Sequence, residues 1–290
     1  MTDREPIGAS AASQPDDAPK GPQRVAVVIC ARDAQEYIAS TVRSCRAIPR
    51  VDLILVVDDG SEDDTARNAR LAGAVVVRHS LPRGRASAME TGVKVVAMRD
   101  RADWPPRLLL FLRPDLGESA VEATALVEAV IAGDADCACG MPADASQKPL
   151  KSTEERIARR AIERSTGWSP VSPLSPYRCM TREAVDAVMP FAPGLGLWPA
   201  MTIDLLVAGL SIVEVPCSFH AQAGFRSSVR ARLSRKRDVY MASMSRRWAR
   251  VKLASAHWGN GEVVTAVGKP FPEPARDREG SKPRGGTRND

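Results

Sequence analysis

The run Leu55-Val56-Val57-Asp58-Asp59-Gly60-Ser61 sets two adjacent carboxylates at the end of an unbroken apolar stretch. Stretches of this kind form strands covered on both faces. A Gly turn and a Ser or Asp helix cap follow, so the acids stand at the carboxyl edge of a parallel sheet, where such sheets bind ligands. Paired acids there are costly unless they meet donors such as a base N–H and ribose hydroxyls. The same residues also fit a plain strand, turn and capped helix. Cys137 and Cys139 form only CxC with no second pair or His cluster, so the six scattered cysteines read as buried free thiols and zinc is set aside.

Other strand-length apolar runs must build the sheet that carries these acids: Val25–Cys30, Ala74–Val77, Leu108–Leu112, Asp136–Cys139 and Ile212–Val215, beside Leu53–Val57 itself. Helical signals fall between them at Glu36–Arg46, Asp63–Ala72, Ala86–Met98 and Glu118–Ala132. Strands alternating with helices predict an α/β sheet, mostly parallel and flanked by crossover helices. Prolines from Pro170 to Pro199 predict loops over the sheet edge in the second half, not a separate compact domain. No internal repeat is present.

The chain has 290 residues, 44% of them apolar, enough for a sizeable core. Residues 1–22 and 259–290 lack hydrophobic periodicity and read as disordered tails around a domain over 23–258, divided into halves at 23–140 and 141–258. No apolar run approaches a membrane span and the N-terminus lacks a signal pattern, so a cytoplasmic protein is expected. The net charge of +6 is concentrated: Arg226 to Lys252 holds ten Lys or Arg and one acid. The body is therefore near neutral, and nucleic acid is not the expected partner.

Taken in order, Val25-Ala26-Val27-Val28-Ile29-Cys30-Ala31-Arg32-Asp33, the VVDDGSEDDT run, and Arg83-Gly84-Arg85-Ala86-Ser87-Ala88-Met89-Glu90-Thr91-Gly92 resemble the family 2 glycosyltransferases of GT-A fold. They are most similar to the actinobacterial branch near glucosyl-3-phosphoglycerate synthases and polyprenyl-phosphate sugar transferases. The likeness runs from about residue 24 to 250, through Gly194-Leu195-Gly196-Leu197, Thr202-Ile203-Asp204 and Val213-Glu214-Val215-Pro216.

That resemblance implies that Asp59, supported by Asp58, addresses the base of a nucleotide sugar, with Cys30, Ala31 and Asp33 on the other side. It sets Gly84 and Arg85 against the nucleotide, since Gly permits close backbone approach and the cation offsets phosphate charge. A solvated surface Arg85 is the alternative. Arg178 and Arg226 are implied to bind phosphate or acceptor, and Asp204 is a candidate acid or base. Asp115 and His220 are implied to hold Mg²⁺ or Mn²⁺ against the leaving diphosphate.

The chain departs from the family where relatives carry Asp-x-Asp: here Arg113-Pro114-Asp115 stands, with Arg113 replacing the first acid. Arg113 either substitutes for the cation or points away from a dead site. Asp33-Ala34-Gln35, Ser175-Pro176 and Trp198 also replace family motifs, Trp198 standing where a Glu is expected. The resemblance therefore implies sugar transfer from a nucleotide sugar to a phosphate-bearing or hydroxyl acceptor. Its rival is a GT-A scaffold that has lost catalysis and binds a nucleotide sugar or a protein partner. The missing glycines after Val25–Asp33 speak against a nucleotidyltransferase or a dinucleotide-dependent dehydrogenase. His79 and His257 receive no role.

Within 229–253, Val229, Leu233, Tyr240, Met244, Trp248 and Val251 share one helical face and Arg residues crowd the other. Such a helix either lies on an anionic membrane surface, at the inner face or near a polyprenyl phosphate, or packs on the domain as a solvated helix.

Overall fold

The computed structural model describes residues 21–143 and 152–220. The basic segment with Arg226, residues 1–20 and residues 259–290 lie outside them, so the readings of both tails, the amphipathic helix and Arg226 are not addressed by the fold.

Within the described residues, β1 (Val25–Ala31), β2 (Val51–Asp58), β3 (Val75–Arg78) and β4 (Leu108–Leu112) alternate with α1 (Ile38–Cys45), α2 (Thr65–Leu71) and α3 (Arg85–Ala97). A 3₁₀ stretch, Gly117–Ala123, leads into α4 (Thr124–Ile131). Then come β5 (Cys137–Pro142), α5 (Thr153–Thr166), β6 (Arg178–Met180), α6 (Arg182–Val188), α7 (Leu197–Val207) and β7 (Ile212–Cys217). One seven-stranded sheet results, ordered β3-β2-β1-β4-β6-β5-β7.

All neighbours run parallel except β6, which pairs antiparallel with both β4 and β5. Because β1, β2 and β4 sit inside the sheet, their residues are apolar on both faces. Val25, Val27, Ile29 and Val56 pack toward α1, α2 and α4, while Val28, Leu55, Val57 and Phe111 pack toward α3, α6 and α7. Two cores flank one sheet, and each such buried side chain contributes about 1.5–3 kcal/mol.

Strands and helices of the first half match the sequence expectation to within about two residues, except that Glu118–Ala132 divides into 3₁₀ and α segments. The second half departs from it. Between Pro170 and Pro199, where edge loops were expected, the three-residue strand β6, helix α6 and the start of α7 form, and α5 precedes them. The prolines stop and start these elements without preventing them. No helix among the described residues is long and apolar enough to cross a membrane. All six cysteines are free thiols, five of them buried.

Candidate active site

The carboxyl ends of β1, β2 and β4 meet at one edge of the sheet. There the turn after β1 is laced to the turn after β2. The Asp33 amide donates to Ser61 Oγ at 3.0 Å, the Ala34 amide to Thr65 Oγ1 at 2.7 Å, and the Glu62 amide to Asp33 Oδ1 at 2.9 Å. Asp33 adopts a positive φ of 48°, a conformation that Asp tolerates better than most residues.

Asp58 and Asp59 part ways at this edge. Asp58 is fully buried; its Oδ1 accepts from both the amide and the hydroxyl of Ser61, and its Oδ2 faces the Arg78 Nε at 3.3 Å without a hydrogen bond. Asp59 instead gathers the loop between β3 and α3. Its Oδ1 accepts from the Arg83 amide at 2.8 Å and from His79 Nδ1 at 2.8 Å, while its Oδ2 accepts from the Gly84 amide at 2.7 Å. Burial alone would raise the Asp59 pKa, but the Arg83 amide, His79 and the Gly84 amide outweigh it and hold the group below its usual value.

Glycine makes this closure possible at two points. A Cβ on Gly60 would lie 2.9 Å from the Pro82 nitrogen, so only a bare backbone lets the loop approach β2. Gly84 has φ 88° and ψ 163°, a region that L side chains avoid, and it is the last residue before α3 begins at Arg85.

Beside this knot opens a narrow cleft. Its floor is Val28 and Cys30 of β1 with Phe111 and Leu112 of β4, and its walls include Met89, Pro114, Pro176 and Trp198. Two guanidinium groups line it, those of Arg85 and Arg113. Burial pushes the Cys30 thiol up to about 12, despite the nearby Arg85 charge. The thiol is thus neutral near pH 7 and is no nucleophile.

Arg113 forms a two-pronged ion pair with Asp115, Nε to Oδ1 at 2.8 Å and Nη2 to Oδ2. Arg85 is exposed and makes no hydrogen bond or salt bridge among the described residues; partial desolvation in the cleft and the nearby Arg113 charge lower its pKa. Tyr177, raised to about 12 mainly by burial, lies in the same field, and its ring packs on Phe219 at a centroid distance of 4.2 Å. Phe219 precedes His220, which is exposed and whose amide donates to Ser119 Oγ at 3.0 Å.

Of the residues singled out from sequence, the fold gathers Cys30, Ala31, Asp33, Asp58, Asp59, Gly84, Arg85, Arg113 and Asp115 along one edge of the sheet. It does not bring Arg178 or Asp204 to the cleft wall. Arg178 is 1% exposed, donates to Trp198 O at 3.2 Å and Thr202 Oγ1 at 3.0 Å, and lies 5.6 Å from the Trp198 ring centre. It supports the wall from behind, out of a ligand's reach. Asp204 lies six residues beyond Trp198 along α7, about 9 Å further down the axis.

His79 was passed over in the sequence, yet it ties Asp59 to Thr91 Oγ1, which lies 3.0 Å from Nε2. The signal was its position: it directly follows β3, at the same edge as the two acids.

A divalent cation needs several oxygen or imidazole donors with free lone pairs. Here both Asp115 oxygens are taken by Arg113. Among the described residues no three His, Cys, Asp or Glu side chains come together in a way that could hold a metal ion. The donor set therefore does not fit the Mg²⁺ or Mn²⁺ that the resemblance implied.

The pattern of glycosyl transferase family 2 matches residues 26–188, more than half of the chain. The chain belongs to that family. A succinoglycan biosynthesis protein, ExoU, of Rhizobium meliloti is 32% identical over 126 residues, covering 39% of this chain and 37% of that protein. An uncharacterized protein of Methanocaldococcus jannaschii is 28% identical over 114 residues, 39% of this chain and 44% of its own. The match thus spans less than half of each curated relative.

Among solved structures, the glucosyl-3-phosphoglycerate synthase of Mycobacterium tuberculosis with Mn²⁺, uridine diphosphate and phosphoglyceric acid superposes with a TM-score of 0.63 at 21% identity, over 77% of this chain and 78% of that one. The same enzyme with Mg²⁺ and uridine diphosphate gives 0.61 at 22% identity, over 77% and 79%. These likenesses establish the GT-A fold: a mostly parallel sheet with helices on both faces.

Proposed function

We propose that this family 2 chain transfers a sugar from a nucleotide-diphosphate sugar to a phosphate-bearing or hydroxyl acceptor. The observation that carries the reading is the cleft at the ends of β1 and β4, lined by Arg85 and Arg113 and adjoining the Asp58–Asp59 turn. The edge formed by Cys30, Ala31 and Asp33 would receive the nucleoside, and the two guanidinium groups the diphosphate. Uridine diphosphate in the structurally similar synthase supports a nucleotide donor.

In the reaction, an acceptor oxygen forms a bond to the anomeric carbon. The bond from that carbon to the diphosphate oxygen breaks, and its electron pair leaves with the diphosphate. A hydroxyl acceptor must also lose a proton to a base within hydrogen-bond reach. The residues lining the cleft include no carboxylate or imidazole. An acceptor whose nucleophilic oxygen is already anionic needs no such base, so the lining favours a phosphate oxygen.

The same lining favours a second reading, a scaffold that binds nucleotide sugar without turnover. Thermal shift with UDP-, GDP- and ADP-sugars, followed by donor hydrolysis on whichever binds, separates the two. Stabilisation with hydrolysis supports the enzyme, stabilisation alone supports the scaffold, and no shift with any donor rejects both. The basic stretch Arg226–Lys252 supports an anionic acceptor or membrane surface. Sedimentation with anionic vesicles at two ionic strengths tests it, and equal binding to neutral vesicles would reject it.

A further inference from the structure

We infer that this site holds the donor diphosphate on guanidinium groups, Arg113 and Arg85, in place of a divalent cation. The inference rests on the donor-binding reading above and names how that site neutralises its ligand.

Asp115 directly follows the cleft-lining Pro114, and its two oxygens are consumed by the parallel prongs of Arg113. A metal would have to strip a charge-assisted pair and then sit beside a full positive charge. Both steps oppose binding. With Arg113 fixed by Asp115, the guanidinium becomes a placed cation at the end of β4.

Arg85 supplies the second charge. It stands at the first position of α3 behind the Gly84 turn, with no hydrogen bond or salt bridge among the described residues to satisfy it. Two guanidinium groups thus line one cleft whose lining holds no acid, and their mutual repulsion is relieved when an anion enters. The rest of the wall is apolar or neutral, including Val28, Met89, Phe111 and Trp198, so little protein dipole competes with the ligand. A diphosphate offers the separated anionic oxygens that two planar forks can share.

The roles of Arg113 and Asp115 then invert what a metal site requires. Asp115 is a positioning residue, and losing its negative charge need not harm anion binding. Arg113 carries the contact.

Isothermal titration of the full chain with UDP and with inorganic pyrophosphate, in EDTA and in Mn²⁺, tests this. Both ligands are expected to bind in EDTA, with Mn²⁺ changing either affinity less than about threefold. Arg113→Ala should weaken both by about tenfold or more, the scale of a lost charge-assisted hydrogen bond, while Asp115→Asn should hold them within about threefold or tighten them. If Arg113→Ala fails to fold by circular dichroism, Arg113→Lys keeps the charge without the fork and should weaken binding of both ligands by about threefold or more, and unchanged affinity would overturn the inference. Binding that requires Mn²⁺ and collapses in Asp115→Asn would overturn the inference while leaving the donor reading intact. Pyrophosphate binding without UDP binding would keep the guanidinium site and reject a uridine donor. Failure of both ligands would overturn the inference.

Discussion

Asp59, expected from sequence to address a ligand, also closes the loop between β3 and α3 through its hydrogen bonds to His79, Arg83 and Gly84. The paired acids at the end of β2 were legible because an unbroken apolar run ended in them. Their partners were not, because Arg83, Gly84 and His79 come from a loop 20 to 25 residues away. Asp59→Ala leaves the half-buried Arg83 and Gly84 amides without their acceptor and is expected to cost about 1–3 kcal/mol by urea unfolding, with Asp59→Asn costing less because one acceptor oxygen survives. An unchanged midpoint would mean the loop is held by other contacts.

The acid's depressed pKa sets the pH dependence. A carboxyl whose folded pKa lies below its unfolded value of about 3.9 contributes stability that is fully present above that value and lost as pH falls through the folded one. Stability is therefore expected to fall less steeply with acid in Asp59→Asn than in the parent, with the difference between the two largest near neutral pH and vanishing at the acid end. Arg178 is the converse case. Its place in a nearly regular strand sequence offered no hint of burial, and Arg178→Met is expected to leave pyrophosphate affinity within about twofold, since the guanidinium stays behind Trp198.

At the scale of elements, β1 to β4 and their crossover helices were legible because each strand is a continuous apolar run bounded by polar helices. The second half hid its elements behind short length and proline. One signal was present all the same: Ser152 and Glu155 have the spacing of a capping box, and both of its hydrogen bonds form at the start of α5, with Gly167 closing the helix at φ 78°. Helix α5 packs on α7, whose first turn carries Trp198 into the cleft wall.

Ser152→Ala is accordingly expected to cost about 0.5–2 kcal/mol in a denaturant titration, and Ser152→Asp almost nothing. Trp198→Ala removes both the wall and the ring against which Arg178 rests. A loss of about 3–5 kcal/mol is expected from the deleted ring, together with a weaker diphosphate titration. A stable Trp198→Ala variant with unaltered affinity would show that the ring walls nothing the ligand uses.

Across the whole molecule the sheet is continuous, yet its two halves join through three residue pairs between β4 and β6: Leu109 with Met180, Leu110 with Cys179, and Phe111 with Arg178. Hydrogen exchange followed by mass spectrometry is expected to show the slowest amides in β1, β2 and β4, which are flanked on both sides, and faster exchange in the edge strands β3 and β7. Uniform protection across all seven strands would contradict a centre-weighted core. The overall sheet order was not legible from the strand list, because a three-residue antiparallel insertion is too short to carry a period.

That insertion has a consequence for a chain emerging from the ribosome. Strand β4 is complete at Leu112, but the strand that covers its open side begins only at Arg178, and β5 lies between β6 and β7, both made after it. At about 5–20 residues per second, the wait for the covering strand is roughly 3–13 s. Throughout it the Leu-Leu-Leu-Phe-Leu edge stands unpaired, a template for pairing with a neighbouring nascent chain. Translation speed between residues 113 and 180 is therefore a determinant of soluble yield, and synonymous codons that slow this stretch should lower it while leaving the purified protein unchanged.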